Sequence, residues 1–524
     1  MKHFPLPHLL VFLVILSHSS AHIRQSKYNV GWEKYLADEP TTFHNLPLTW
    51  EEDAPLPSWL VGSYIKNGPS RRQFGTEERW YSQYMDSWAK LNKVTFTATG
   101  EALFSGRMIE SVNYLRCVEA DKMVPSITIA GVAPNDWSPT EMMSSLLHGY
   151  DNTNVILWRL GPEDPQNATY IATSDVPLVN MIDPESLAVT GQLQPNPFPD
   201  GISMGSSSHW RRELGTDNSL NFHMIVNPLK LSIEFVLYRY GRSMEEMSEI
   251  GRFPIDYMSY VHMISNTPRY AVIVMYPVIM NWLKMPQHNM HPIETLEKLD
   301  EPTKIYLMDL KDGSVLDGFV TDDPSMVFAT HIMNAWEEGG DVVFDLATNP
   351  WNVMVDYMDL ETMMNHPETD AETSDQVMKR VRLVKETREV VVEDWPNLSE
   401  VPMMNTMDFP VINENYSGYK NRYTYGWVSI DYWKEVLAKK DLEDSSNYKL
   451  WFTESHYPGE LFFIPNPAGT EEDDGVLVTI VFDGKREQSY LLLLDGKTFT
   501  EINRSYLPYN VPFSFHGNWF PELQ

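Results

Sequence analysis

The chain has 524 residues, 43% of them hydrophobic and 12% aromatic, with 72 acidic against 40 basic residues and a formal net charge of -32. That apolar content excludes a disordered chain, and a charge that repels phosphate argues against nucleic acid as a partner. One cysteine, Cys117, excludes an internal disulfide framework.

At the N-terminus Lys2 and His3 precede an apolar run from Leu9 to Leu16, and Ser19-Ser20-Ala21 offers a cleavage site. This reads as a secretory signal over residues 1–21, with a retained anchor as the alternative. The run is too short to span a bilayer, and no later segment reaches the ~18 uninterrupted apolar residues that a spanning helix needs. Four sequons, at Asn167, Asn397, Asn415 and Asn503, are compatible with export and glycosylation. The stretch after the signal is rich in Trp, Pro and Glu without a period, and we assign residues 22–54 to an irregular strap and 55–524 to one domain.

Asn67-Gly68 followed by Pro69 predicts a turn. From Lys93 to Val118, short apolar runs broken by Gly100 and Gly106 predict strands. Cys117 sits in one of these runs and reads as a packed core thiol. Residues 124–148 differ: Ser138-Pro139-Thr140-Glu141 carries a capping Ser with Glu three residues on, a helix start. The Met142–Leu147 run behind it is apolar enough to lie on a membrane or under a neighbouring loop.

Farther on, an apolar strand ending at Asp, a turn, and a Ser or Thr opening the next strand recur. The copies are Met181–Leu187, Leu307–Val315 and Leu493–Phe499, and Asp-Gly inside such a pattern is a short hairpin signal. Glu337-Glu338-Gly339-Gly340-Asp341 predicts another hairpin. Hairpins dispersed over several hundred residues predict an all-β chain and fit a β-propeller. Two β-sandwich domains are the alternative, but no linker rich in Gly, Ser or Pro divides the chain.

Four histidines stand in short apolar settings: Ser206-Ser207-Ser208-His209, Ser259-Tyr260-Val261-His262, Phe328-Ala329-Thr330-His331 and Val511-Pro512-Phe513-Ser514-Phe515-His516-Gly517. Neutral imidazoles suit a borderline metal such as iron, although 15 histidines allow many sets of four. The surrounding motifs narrow the choice. Asn67-Gly68-Pro69, Asp151-Asn152-Thr153-Asn154-Val155, Ile182–Leu187, Tyr260-Val261-His262, His331–Glu338, Asp408–Asn413, Glu471–Val476 and Val511–Gly517 occur in the order seen in the carotenoid cleavage oxygenase family. Over residues 55–524 the chain resembles that family, which includes β-carotene oxygenases and the retinoid isomerohydrolase of the visual cycle.

The resemblance implies a seven-bladed propeller with Fe2+ on its axis, held by His209, His262, His331 and His516; His223 competes with His209 for the first place. It also implies three carboxylates behind the imidazoles, at Asp175, Asp408 and Glu460. The family has Glu at all three, so two are short by one methylene, a reach of roughly 1.5 Å. Loss of direct contact with the imidazole would follow unless the backbone moves in, and such a loss typically costs ~10–100-fold in affinity or activity. Phe515 is the one aromatic we place beside the iron. A second departure is the segment Arg79–Ser87, which lacks the family's His-x-Phe-Asp-Gly-like motif near the cavity. The implied activity is O2-dependent cleavage of a carotenoid or apocarotenoid double bond to aldehydes. A carotenoid or retinoid carrier and a retinoid isomerohydrolase are the alternatives.

Overall fold

The structure, a computed structural model, describes residues 30–524 apart from 77–78, 135–136, 139, 142, 144–147, 195–200, 282–283, 285–291, 357, 366–376, 396–405 and 432–433. The signal segment and Asn397 therefore lie outside the described residues. Among the described residues no helix is long and apolar enough to cross a membrane.

Seven antiparallel sheets of four or five strands follow one another along the chain. The first strands of blades 2 to 6 are Ile156–Leu160, Ile202–Ser206, Ser265–Asn266, Ala329–Glu338 and Asp408–Val411. Blade 7 opens with His456–Pro458 and Phe462–Pro465, both paired with Gly475–Asp483. Blade 1 closes the ring. Its strand Gly62–Arg71 pairs on one side with Trp88–Phe96 and on the other with the C-terminal strand Gly517–Phe520, in the register Ser63↔Phe520 and Lys66↔Gly517. Closure leaves little unpaired edge.

The blades stack face to face, so their middle strands are buried on both sides. This is why Gln488–Asp495 is a near-continuous apolar run in place of an alternating one. The strap is not separate from the ring. Phe43–Pro47 is the outermost strand of blade 1, paired with Ala102–Met108. Upstream of it, the short helix Trp32–Tyr35 docks on blade 7. Trp32 donates to the Met363 carbonyl at 2.9 Å and meets the Tyr457 ring edge-on at 5.0 Å, while Tyr35 stacks on Phe482 at 5.2 Å.

Three local expectations are corrected. Asn67-Gly68-Pro69 is not a turn but lies inside the strand Gly62–Arg71. Gly68 is there because the chain at Ser514 passes so close that a Cβ would sit 2.6 Å from the Ser514 Cα. The segment Lys93–Val118 is strand only to Met108; Val112–Ala120 is a helix, capped by Ser111 Oγ accepting from the Tyr114 amide and ended by Asp121 at φ 48°. Tyr114 and Cys117, three apart, point inward among Phe74, Tyr81, Trp88 and Met108. Burial pushes the Cys117 thiol pKa up to about 11, as a packed core thiol requires.

The Asp-ended hairpins exist, but not as two-residue Asp-Gly turns. Asp183, Asp309 and Asp495 each bond the amide four residues on, and Leu187, Gly313 and Phe499 at those positions take φ of 59°, 71° and 59°. The left-handed residue is thus the fifth, and Gly496 is free for close approach to Gly475, whose carbonyl accepts from its amide at 2.9 Å. The Gly339-Gly340 turn does link Ala329–Glu338 to Asp341–Thr348, with both glycines at positive φ. At the helix start, Ser138 and Glu141 exchange the reciprocal capping bonds, Ser138 N to Glu141 Oε2 at 2.8 Å and Glu141 N to Ser138 Oγ at 3.3 Å.

Candidate metal centre

Strand order explains how histidines 307 positions apart in sequence meet. His516 precedes the closing strand of blade 1, His209 follows the first strand of blade 3, His262 precedes that of blade 4, and His331 lies in that of blade 5. All four rings are buried, and one nitrogen from each falls within 4.8 Å of the others. Ring centroids are 4.3 Å apart for His209 and His516 and 5.2 Å for His331 and His516. His209 Nε2 and His262 Nε2 are 3.0 Å apart, the spacing of adjacent ligands at right angles around a cation ~2.1 Å away.

The three blades that give no histidine give carboxylates. Asp175 of blade 2 accepts from His262 Nδ1 at 2.8 Å, Asp408 of blade 6 from His331 Nδ1 at 2.7 Å, and Glu460 of blade 7 from His516 Nδ1 at 2.8 Å. The shortened residues keep direct bonds, so the expected gap does not open: the backbone has come in. Each Nδ1 donates its proton outward, which leaves each Nε2 a lone pair facing the centre. His331 Nε2 is buried with no hydrogen-bond partner. Such an orphan acceptor is costly, and a cation bound to it would remove the cost. The donor set fits a borderline divalent metal, Fe2+ included.

His209 has no carboxylate on its ring among the described residues and is placed through its backbone. Its amide donates to Ser207 Oγ at 3.0 Å, Ser207 Oγ donates to the His262 carbonyl at 2.7 Å, and the Ser208 amide donates to Asp175 Oδ1 at 3.1 Å. Burial, then the neighbouring rings of His516, His262 and His331, hold the His209 pKa well below its ordinary value. The ring stays neutral, as a ligand must. His223, the competitor, is elsewhere: its two nitrogens bond Ser203 Oγ at 2.9 Å and the Tyr240 hydroxyl at 2.6 Å within blade 3. It is a satisfied core histidine, and burial lowers its pKa to about 3.

Burial pushes the Asp175 pKa up, but His262 and the bonds from Tyr260 and Ser208 outweigh it and hold the group below the usual range. The same balance, with His331 as main partner for Asp408 and His516 for Glu460, keeps those two ionised.

Three contributors escaped the sequence reading. Tyr260 donates to Asp175 Oδ2 at 2.7 Å. It lies two residues before His262, a spacing that could have flagged it. Phe409, next to Asp408 and held at φ 47°, sets its ring 5.1 Å from that of His516 and 5.5 Å from that of His331. The third is Lys66, whose Nζ donates at 3.2 Å to the carbonyl of Phe515, the aromatic expected beside the iron, which is buried beside Phe513 at 6.1 Å. Lys66 is fully enclosed; burial lowers its pKa to about 8 against the pull of Glu460, so it brings a positive charge to Glu460 at neutral pH.

The Arg79–Ser87 segment, though it lacks the family's motif, still frames the site. Asp86 accepts from the amides of Ile129, Ala130 and Gly131 at 2.6, 2.7 and 3.2 Å, and the Tyr84 hydroxyl donates to the Phe513 carbonyl at 2.7 Å. The asparagines of Asp151–Val155 lock it down: Asn152 and Asn154 donate to the carbonyls of residues 85 to 87.

The profile of the retinal pigment epithelial membrane protein family matches residues 42–521. A mouse β,β-carotene 15,15'-dioxygenase is 24% identical over 91% of this chain and 89% of its own length. A chloroplastic carotenoid cleavage dioxygenase 8 homolog of rice is 27% identical over 91% of this chain and 86% of its own. A variant of the Synechocystis apocarotenoid oxygenase superposes with a TM-score of 0.76, covering 95% of this chain and 99% of that one at 20% identity, which supports the seven-bladed fold. The chain belongs to the retinal pigment epithelial membrane protein family, the family of carotenoid cleavage oxygenases.

Proposed function

We propose that this protein is a secreted, Fe2+-dependent dioxygenase that cleaves a carbon–carbon double bond of a carotenoid or apocarotenoid with O2 to give aldehydes. The observation that carries the reading is the set of four buried imidazole nitrogens within 4.8 Å, three backed by ionised carboxylates at 2.7–2.8 Å. Ferrous iron, when bound, supplies the redox centre at which O2 is activated. The chain's residues do the rest. His209, His262, His331 and His516 present neutral lone pairs, Asp175, Asp408 and Glu460 fix their tautomers and offset the cation's charge, and Phe409 forms an apolar wall where a polyene would lie. Several relatives are named as carotenoid dioxygenases, which supports the same reading.

Export rests on the residue 1–21 signal. Glycan attachment at Asn503 does not go with it, because that side chain is fully buried and donates to the Glu52 carbonyl at 2.9 Å. Peripheral contact with a lipid surface through residues 124–148 belongs to this reading too: Met143 is well exposed, and so are Val112, Leu115 and Val118 on the preceding helix. The carrier alternative has two grounds, the shortened carboxylates and the altered Arg79–Ser87 segment, and the direct carboxylate–imidazole bonds remove the first.

The test is elemental analysis of the anaerobically purified protein, followed by O2 uptake with carotenoids. About one iron per chain and paired O2 consumption and aldehyde release are expected. Stoichiometric iron retained after His331→Ala would refute the ligand set, and conversion of an all-trans retinoid ester without O2 uptake would replace cleavage by isomerisation and hydrolysis.

A further inference from the structure

A channel of about 790 Å³ runs along the propeller axis from the imidazoles to the surface. The first strands of blades 2, 5, 6 and 7 and the closing strand of blade 1 wall it. His209, His331 and His516 stand at its inner end, and Glu414 and Asn415 are exposed at its rim.

Three guanidiniums line this channel, and two are committed. Arg159 pairs with Glu163 at 3.1 Å and with Glu522 at 2.9 Å. Arg212 gives its protons to the carbonyls of Arg159, Gly161 and Asp217. Arg211 differs. It is partly buried, its Nη2 meets Ser417 Oγ at 3.4 Å, and among the described residues it forms no ion pair. Glu414 pulls on it only from farther off. Five N–H donors that share one long bond leave a desolvated charge under-satisfied. Elsewhere in the ring such a group forks a carboxylate, as Arg380 does Asp345 at 2.8 and 2.7 Å and Arg422 does Asp441 at 2.9 and 2.7 Å.

We propose that Arg211 and Ser417 form a binding site for a small planar oxyanion, a carboxylate or hydrogencarbonate, in the axial channel. The guanidinium matches two oxygens of such a group with two parallel bonds. The Ser417 hydroxyl, whose own proton goes to no other group among the described residues, donates to one of them. Glu414 at the rim repels a second negative charge and so selects a monoanion. Arg211 follows His209 by two residues, which places both side chains on the axis side of the chain, and its charge acts on that imidazole. An anion seated there stands between solvent and His209. The site is independent of the dioxygenase reading, since it uses neither the metal nor a polyene.

The test is isothermal titration calorimetry of the full-length, metal-loaded protein with formate, with hydrogencarbonate and with chloride, at constant ionic strength so that screening is equal. At least one oxyanion should bind saturably with a Kd on the order of 1 mM, and the one that binds more tightly identifies the source. Chloride, which cannot take the fork, should bind ~tenfold more weakly. Arg211→Gln should weaken oxyanion binding by about tenfold or more, and Arg211→Lys, which keeps the charge without the fork, should level formate and chloride. Thermal melting confirms that each variant folds, and Arg211→Lys decides if Arg211→Gln does not. No saturable binding of either oxyanion overturns the site. So does Arg211→Gln binding as tightly as wild type, which would place the anion on the metal, or Arg211→Lys keeping the full preference for formate.

Discussion

Restoring the longer carboxylate should harm the site. Asp408 Oδ1 is already 2.7 Å from His331 Nδ1 and 2.8 Å from the Phe409 amide, the short end of the range for charge-assisted bonds. Asp408→Glu inserts one methylene, ~1.5 Å of extra reach, where no gap exists. The side chain must leave its rotamer or push His331 off the centre, and Phe409, whose ring lies 5.5 Å from that of His331, blocks retreat on one side. Overpacking of this kind costs ~1–3 kcal/mol of stability. Displacing the imidazole belongs with lost outer-shell partners, which cost ~10–100-fold in metal affinity, or about 1.4–2.7 kcal/mol. Chelator competition on the reconstituted protein, with His331→Ala as the zero-affinity reference, measures the affinity. Asp408→Glu should fall at least about tenfold below wild type, in company with Asp408→Asn. An Asp408→Glu protein that holds iron as tightly as wild type, or more so, would show that the backbone has not closed the gap and would refute the reasoning.

Two further expectations test the frame. Burial lowers the Lys440 pKa to about 7, with Nζ donating to the Thr406 carbonyl at 2.7 Å. Between pH 7 and 10.5 the unfolded chain holds a proton that the folded chain has lost, so this group makes the fold more stable as pH rises through that window, and below pH 7 its charging cost is fully present. Lys440→Met should gain more stability at pH 7 than at pH 10 in urea melts; an equal gain at both would contradict the lowered pKa. Trp32→Ala removes a buried ring and its bond to the Met363 carbonyl and should cost ~3–5 kcal/mol, while a melting temperature unchanged within error would mean that the strap does not brace blade 7.

Much of the fold was legible because it is built from local signals. The recurring Asp and the Gly339-Gly340 pair mark hairpins whatever they pack against. Glycines used for close approach were misread as turns, because Gly68 answers to Ser514, 446 positions away. The site divides in the same way. The histidines could be nominated from their apolar settings, but telling His209 from His223 needed partners that strand pairing supplies: Ser206 lies opposite His223 in the sheet, and the Ser203 and Tyr240 hydroxyls take up its ring. The shortened carboxylates were misjudged for a third reason. Side-chain length can be read from a sequence, but the distance between two blades cannot.

Charge and connectivity are handled together at this centre. Three ionised carboxylates in an interior would be prohibitive alone. Lys66 sets a positive charge beside Glu460, the buried Arg211 guanidinium sets another beside His209, and a divalent cation held by the imidazoles would add two more. Each carboxylate also holds a backbone amide beside a ligand or beside itself: Asp175 takes Ser208, next to His209, Glu460 takes Gly517, next to His516, at 2.7 Å, and Asp408 takes Phe409. The charge that attracts the metal therefore also sets the backbone that carries the ligands. Asp175 reaches two of them, the ring of His262 and the segment of His209, so its removal should loosen half of the centre where loss of Asp408 loosens one ligand.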